Sequence, residues 1–256
     1  MSAIEARPRR GGLHLFGVEI RINLSWLVAA LLIGSSLASG AFPQLYAGLP
    51  PQSYLAMAGI AVLGLAVSIV LHELSHTLVG RAFGMRIDRI TLFFFGGVAE
   101  LRDEPHTPLS ELAMAIAGPA FSLVFGLVLA VVAGALHAMG ASVIVINAVT
   151  YLAGLNIILA VFNLAPAFPL DGGRVLRALL WLVLRRQDTA TRTALAISEG
   201  LALLLMGAGL VVAVRGEIAG GLWWVIMGWF LRASGRAERA SLKREPAGGV
   251  EAAREG

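Results

Sequence analysis

The strongest constraint on this chain is a succession of long apolar stretches separated by short polar ones. They fall at residues 23–42, 53–83, 110–139, 142–166 and 192–214, with a shorter run at 220–231. A helix needs about 20 apolar residues to cross the hydrocarbon core of a bilayer. Five stretches meet that length, and the sixth reaches it only when its flanks, about 218–233, are counted. With 57% hydrophobic and 14% charged residues, the chain has too little polar surface to cover a soluble globule. The same numbers exclude intrinsic disorder. Spanning strands would alternate over short segments, and these stretches do not. The expected fold is therefore an all-α polytopic membrane protein with six transmembrane helices.

Basic residues provide an independent count. Arg7, Arg9, Arg10 and Arg21 precede the first stretch, and the next loop has none. Arg81, Arg86, Arg89 and Arg102 follow the second, and again the next loop has none. Arg174, Arg177, Arg185, Arg186 and Arg192 follow the fourth, and a single Arg215 follows the fifth. Arg232, Arg236, Arg239, Lys243, Arg244 and Arg254 close the series. Since cytoplasmic loops collect Lys and Arg, this strict alternation predicts six spans with both termini cytoplasmic. The net charge of +4 is thus a topology signal, because the charges form no patch suited to nucleic acid. A cleaved signal peptide at the first stretch is the competing reading, but the apolar run starts late, beyond a polar arm. The expected organisation is an N-terminal arm at 1–22, a membrane domain at 23–232 and a polar tail at 233–256. The chain has no cysteine, which excludes disulfides, thiolate metal sites and a cysteine nucleophile.

Within the second stretch stands His72-Glu73-Leu74-Ser75-His76. Ionisable groups near the middle of a membrane helix cost on the order of 2.5–3.5 kcal/mol each, so three within five positions need a purpose. At i and i+4 both imidazoles share one helix face and can bind one metal ion. Glu73 is placed to serve as general base toward a water on that metal. A catalytic zinc usually has three protein ligands and an open position. Asp171, Glu199 and His137 border the membrane and are the candidates for the third; His14 and His106 lie in polar stretches.

Asp171 belongs to Asn163-Leu164-Ala165-Pro166-Ala167-Phe168-Pro169-Leu170-Asp171-Gly172-Gly173. Two prolines three residues apart end a helix, and broken backbone at membrane depth is tolerated only inside protein or beside a water-filled cavity. In the predicted topology, stretches two and four run in the same direction and end toward the cytoplasm. Both motifs therefore lie at the same depth.

The two motifs, in order and on separate spans, resemble the site-2 protease family of intramembrane zinc metalloproteases (peptidase family M50). Gly118-Pro119-Ala120-Phe121-Ser122 is similar to a further recurrent element of that family. The resemblance runs from about residue 17 to 232. It implies one Zn2+ per chain held by His72, His76 and Asp171, with Glu73 as catalytic acid/base. It also implies that Asn163 hydrogen-bonds substrate or the developing oxyanion. The implied activity is a zinc metalloendopeptidase of the EC 3.4.24 type, cutting transmembrane helices near the cytoplasmic face. The implied substrates are single-span membrane proteins or signal-peptide remnants, and the setting a bacterial or archaeal cell membrane. The sequence has no room for the PDZ insertion or CBS pair of many members; self-association is left open.

Residues 87–101 are β-prone around Gly96-Gly97 and predict a short membrane-associated β-hairpin between the second and third helices. An edge strand there could pair with an unwound substrate, which makes Phe95, Gly96 and Gly97 candidate substrate contacts; packing alone is the other reading. Asn156, seven residues before Asn163, shares its helix face and joins that candidate set. Small residues at 118, 122, 126, 130 and 134 read as a helix-packing face. Trp223, Trp224 and Trp229 read as interfacial anchors. Glu199 fits a gate or a packing role equally. The competing functions are a metal-binding membrane transporter and a non-catalytic membrane adaptor. A transporter should show repeated halves, and an adaptor should have lost a ligand or Glu73; the sequence shows neither feature.

Overall fold

A computed structural model describes residues 13–94, 96–101 and 105–244. In chain order the elements are β1 (Leu13–Leu15), β2 (Val18–Ile22), α1 (Leu24–Ser36), a π-helical turn (Leu37–Ala41) and α2 (Phe42–Leu45). Then follow α3 (Pro51–Ala82), β3 (Ile87–Phe93), β4 (Gly96–Leu101), α4 (Pro108–Ala138) and α5 (Val143–Asn163). The chain ends in α6 (Asp171–Leu184), α7 (Gln187–Val214) and α8 (Ile218–Arg244). Among the described residues, five segments are long and apolar enough to cross a membrane: Leu24–Leu45 and helices α3, α4, α5 and α7. They match the five full-length apolar stretches. The expected sixth, α8, falls short because glycines, tryptophans and Arg232 dilute its apolar part. Its helix also continues past residue 233 to Arg244, into the stretch read as a polar tail.

The chain divides into two compact units, and the division falls within α4 and α5. The first unit comprises the residues up to Glu104 together with Val124–Asn156. Its helices expose apolar faces that water would not tolerate. On α1, Leu24, Leu27, Val28 and Leu31 stand exposed at helical spacing. Phe42, Met57, Ala61 and Ala148 are fully buried in one cluster.

Strands β3 and β4 pair antiparallel, with Phe93 opposite Gly96 and Leu92 opposite Gly97. They belong to a larger sheet of order β1-β2-β3-β4, in which β2 pairs parallel to β3 through Ile20–Ile90 and Ile22–Leu92. The arm before the first helix, expected only as a polar segment, thus supplies two strands. Arg81 near the end of α3 fastens this sheet. Its guanidinium donates to the carbonyls of Phe16 (2.8 Å), Gly17 (3.0 Å) and Ile87 (3.0 Å). Phe16 and Gly17 form the β1–β2 turn at positive φ, 49° and 73°.

The second unit comprises Pro105–Leu123 and the chain from Ile157 onward. Helices α7 and α8 pack closely along a glycine seam. A side chain at Gly228 would lie 2.6 Å from the Ala202 carbonyl oxygen, and one at Gly221 would lie 2.5 Å from that of Gly209. Gly221, Gly228 and Gly235 recur every seven residues, which keeps the seam facing its partner over four turns. Between α5 and α6 the loop 164–170 breaks the helix, as its two prolines predict. A side chain at Gly172 would collide with the carbonyls of Leu164 and Ala165, so the loop can fold this tightly on α6 only over glycine.

Candidate metal centre and catalytic residues

Both histidines lie on the last three turns of α3, and both are buried, with 3% of His72 and 8% of His76 exposed. Their Nε2 atoms stand 3.2 Å apart and the rings are nearly perpendicular, at 79°. Two nitrogens held tetrahedrally at about 2.0–2.1 Å from one ion would be about 3.3 Å apart. The pair therefore fits a shared ion, and two imidazoles suit zinc better than a hard cation such as calcium. Below them, Ser75 donates to the His72 carbonyl (2.6 Å) and Thr77 to the Glu73 carbonyl (2.9 Å).

Glu73 faces β4. A side chain at Gly97 would sit 2.6 Å from Glu73 Cγ and 3.1 Å from Ile69 Cγ2. The backbone of β4 thus lies directly on the glutamate. Gly96 opens β4 at φ 132°, while Phe95 lies outside the described residues.

One turn before His72, Ser68 Oγ accepts from the Asn156 side chain at 2.9 Å, and the same amide donates to the Leu152 carbonyl at 2.9 Å. Asn156 is 1% exposed, and its Oδ1 has no hydrogen-bond partner among the described residues. This places Asn156 against α3, the helix that carries the histidines.

In the second unit Asn163 and Asp171 bracket the loop 164–170. Asn163 ends α5 with its amide donating to the Leu159 carbonyl at 2.9 Å, so one amide hydrogen is left to point elsewhere. Asp171 opens α6 and is the acidic residue of its first turn. Glu199 lies 3.4 Å from Arg232 and 3.6 Å from Arg239 of α8, so its carboxylate is matched by arginines. His137 and His106 are exposed.

One feature went unread in the sequence. Glu111, on the first turn of α4, is wholly buried and receives Arg177 of α6, both Nε and Nη2 lying 2.5 Å from Oε1. The two are 66 residues apart in the chain, and nothing local pairs them.

The profile of peptidase family M50 matches residues 60–140 and 133–207, together more than half of the chain. Among similar proteins, one from Mycobacterium tuberculosis named zinc metalloprotease Rip3 is 37% identical over 91% of this chain and 59% of its own length. One from Synechocystis sp., named zinc metalloprotease sll0528, is 37% identical over 90% of this chain and 60% of its own. The chain therefore spans about three fifths of the length of these relatives. A solved site-2 protease from Methanocaldococcus jannaschii superposes with a TM-score of 0.57 at 26% identity, covering 88% of this chain and 93% of that one. The chain belongs to peptidase family M50. This membership, with metalloprotease names among its relatives, does not favour the transporter and adaptor readings.

Proposed function

We propose that this chain is an intramembrane zinc endopeptidase in which His72, His76 and Asp171 together hold one metal ion. The observation that carries the reading is the buried imidazole pair, its ring nitrogens 3.2 Å apart, on a helix apolar enough to cross a membrane. Zinc, when bound, would supply a Lewis acid that polarises the scissile carbonyl and lowers the pKa of a water it holds toward about 7. Glu73 takes the proton of the attacking water on its carboxylate and hands it to the leaving amide nitrogen. Asn163 directs its remaining amide hydrogen at the carbonyl oxygen as negative charge develops there.

A helical peptide bond is shielded and already hydrogen-bonded, so the substrate must unwind before attack. Strand β4 is the outer strand of the sheet and lies against Glu73, which suits it to hold an unwound segment by backbone pairing. Gly96, Gly97 and Phe95 are the positions assigned to that contact, with Asn156 supporting the metal-bearing helix. The substrates are transmembrane helices of single-span proteins or signal-peptide remnants, cut near the cytoplasmic face. In the topology assigned by the arginines, α8 is the sixth span and both termini are cytoplasmic.

The test is cleavage of co-expressed single-span membrane proteins, alongside zinc content of the purified full chain. Glu73→Gln should lower cleavage by about 10²–10⁴-fold while one zinc per chain is retained. Asp171→Ala or His72→Ala should lower both. Undiminished cleavage by the Glu73 variant, or full zinc retention in the Asp171 variant, would overturn the assignment.

A further inference from the structure

The pair of Glu111 and Arg177 takes two charges out of water, which is costly, and the chemistry above makes no use of it. Glu111 is 0% and Arg177 7% exposed, in a chain whose buried interior is otherwise mostly apolar. Buried ion pairs of this kind add little to stability compared with apolar side chains of the same size. What such a pair can supply is a unique geometry.

The arginine holds three things at once. Its Nε and Nη2 close on Glu111 Oε1, and its Nη1 lies 3.6 Å from Glu238 Oε1 of α8. The guanidinium carbon stands 5.8 Å from the ring centroid of Phe168, close enough for a cation–π contact. Phe168 belongs to the loop 164–170 and is fixed from the other side, its N–H donating to Ser198 Oγ of α7 at 3.0 Å.

Arg177 and Asp171 lie six residues apart on α6, the loop runs directly into Asp171, and Gly172 and Gly173 press on the loop backbone. The helix is thus anchored behind the aspartate by Glu111, and the loop is anchored before it by Phe168. Arg177 takes part in both anchors.

We infer that Arg177, braced by Glu111, is a positioning residue that fixes the direction of the Asp171 carboxylate. The inference rests on Asp171 being a zinc ligand. Supporting residues of metal ligands typically alter metal affinity or activity by about 10–100-fold when changed. A displacement of about 1 Å is enough to cost activity on the order of 10²-fold.

The single variant Arg177→Met leaves Glu111 buried without its cation and is prone to unfold. The informative protein is therefore the double variant Glu111→Leu/Arg177→Met, purified as the full chain in detergent. Its thermal unfolding should stay near that of the native chain. Its affinity for Zn2+, measured by chelator competition, should fall by about 10–100-fold. The visible absorption of bound Co2+ should shift as the carboxylate leaves its place. The charge-reversed pair Glu111→Arg/Arg177→Glu should recover part of that affinity.

Native zinc affinity and an unchanged Co2+ spectrum in a folded double variant would overturn the inference, leaving the pair as packing. Asp171→Ala separates this from failure of the zinc reading. If that variant binds zinc as tightly as the native chain, the metal assignment is wrong. If it loses zinc while the double variant does not, only the positioning role falls.

Discussion

Placing a methyl group on Gly97 tests whether the β4 strand positions Glu73. In Gly97→Ala the new Cβ would lie 2.6 Å from Glu73 Cγ, 3.1 Å from Ile69 Cγ2 and 3.3 Å from Glu73 Cδ. Carbon atoms in contact prefer about 3.5–4.0 Å, so relief requires a relative movement of about 1 Å. Either the glutamate swings away from its working position or β4 lifts off α3. A displacement of that size at a catalytic group costs on the order of 10²-fold in rate, equivalent to about 2.7 kcal/mol of barrier. Overpacking itself should cost about 1–3 kcal/mol of stability. The histidines keep their places on α3, so zinc content should not change. The assay is cleavage of a reconstituted single-span substrate, with metal content and thermal unfolding measured on the same preparation. Gly59→Ala, at a helical position with open space around the new methyl, is the control and should be neutral or slightly stabilising. If Gly97→Ala cleaves at more than half the native rate, β4 does not set the position of Glu73.

Other perturbations reach further parts of the fold. Arg21 and Arg89 hydrogen-bond Glu19 and hold its carboxyl below the ordinary 4.5. A depressed folded-state value makes this stabilisation full above that pH and lost as pH falls through the lower folded value. Amide-exchange protection of the β2–β3 pairing should therefore weaken below about pH 4.5, and Glu19→Gln should remove that dependence. A dependence that survives the substitution would place its origin elsewhere. Gly228→Leu puts carbon atoms within 2.6 Å of the Ala202 carbonyl and of Met206 Cγ. It should force α7 and α8 apart and cost at least about 1–3 kcal/mol, read as a lowered unfolding temperature; an unchanged temperature would refute the close-packed seam.

The parts of the site that were legible share one property: their chemistry is written over a few consecutive residues. His72 and His76 share a face because any helix brings i and i+4 together, and the 3.2 Å between their ring nitrogens follows from that spacing. Two prolines and two glycines announced the break before Asp171 by the same local rules. The β3–β4 hairpin was visible from β-prone runs on either side of Gly96-Gly97. Strands β1 and β2 were not, because β2 owes its place to parallel pairing with β3, some seventy residues later in the chain. Three and five residues in length, they leave almost no periodicity to detect.

The supports failed to show for a deeper reason. Any acidic residue on a first helical turn suits the dipole, so nothing local marks Glu111, and Arg177 counts as one more cytoplasmic charge. Only the fold shows that both are withdrawn from water and that each neutralises the other across 66 residues of sequence. The glycine seam of α8 was hidden in the opposite way. Gly221, Gly228 and Gly235 lower the hydropathy of the stretch, so the feature that lets α8 lie close against α7 is also what makes it read as a weak span. A span scored by apolarity alone is scored for its contact with lipid. A helix that meets its neighbour through glycines gives up part of that signal, and α8 is such a helix.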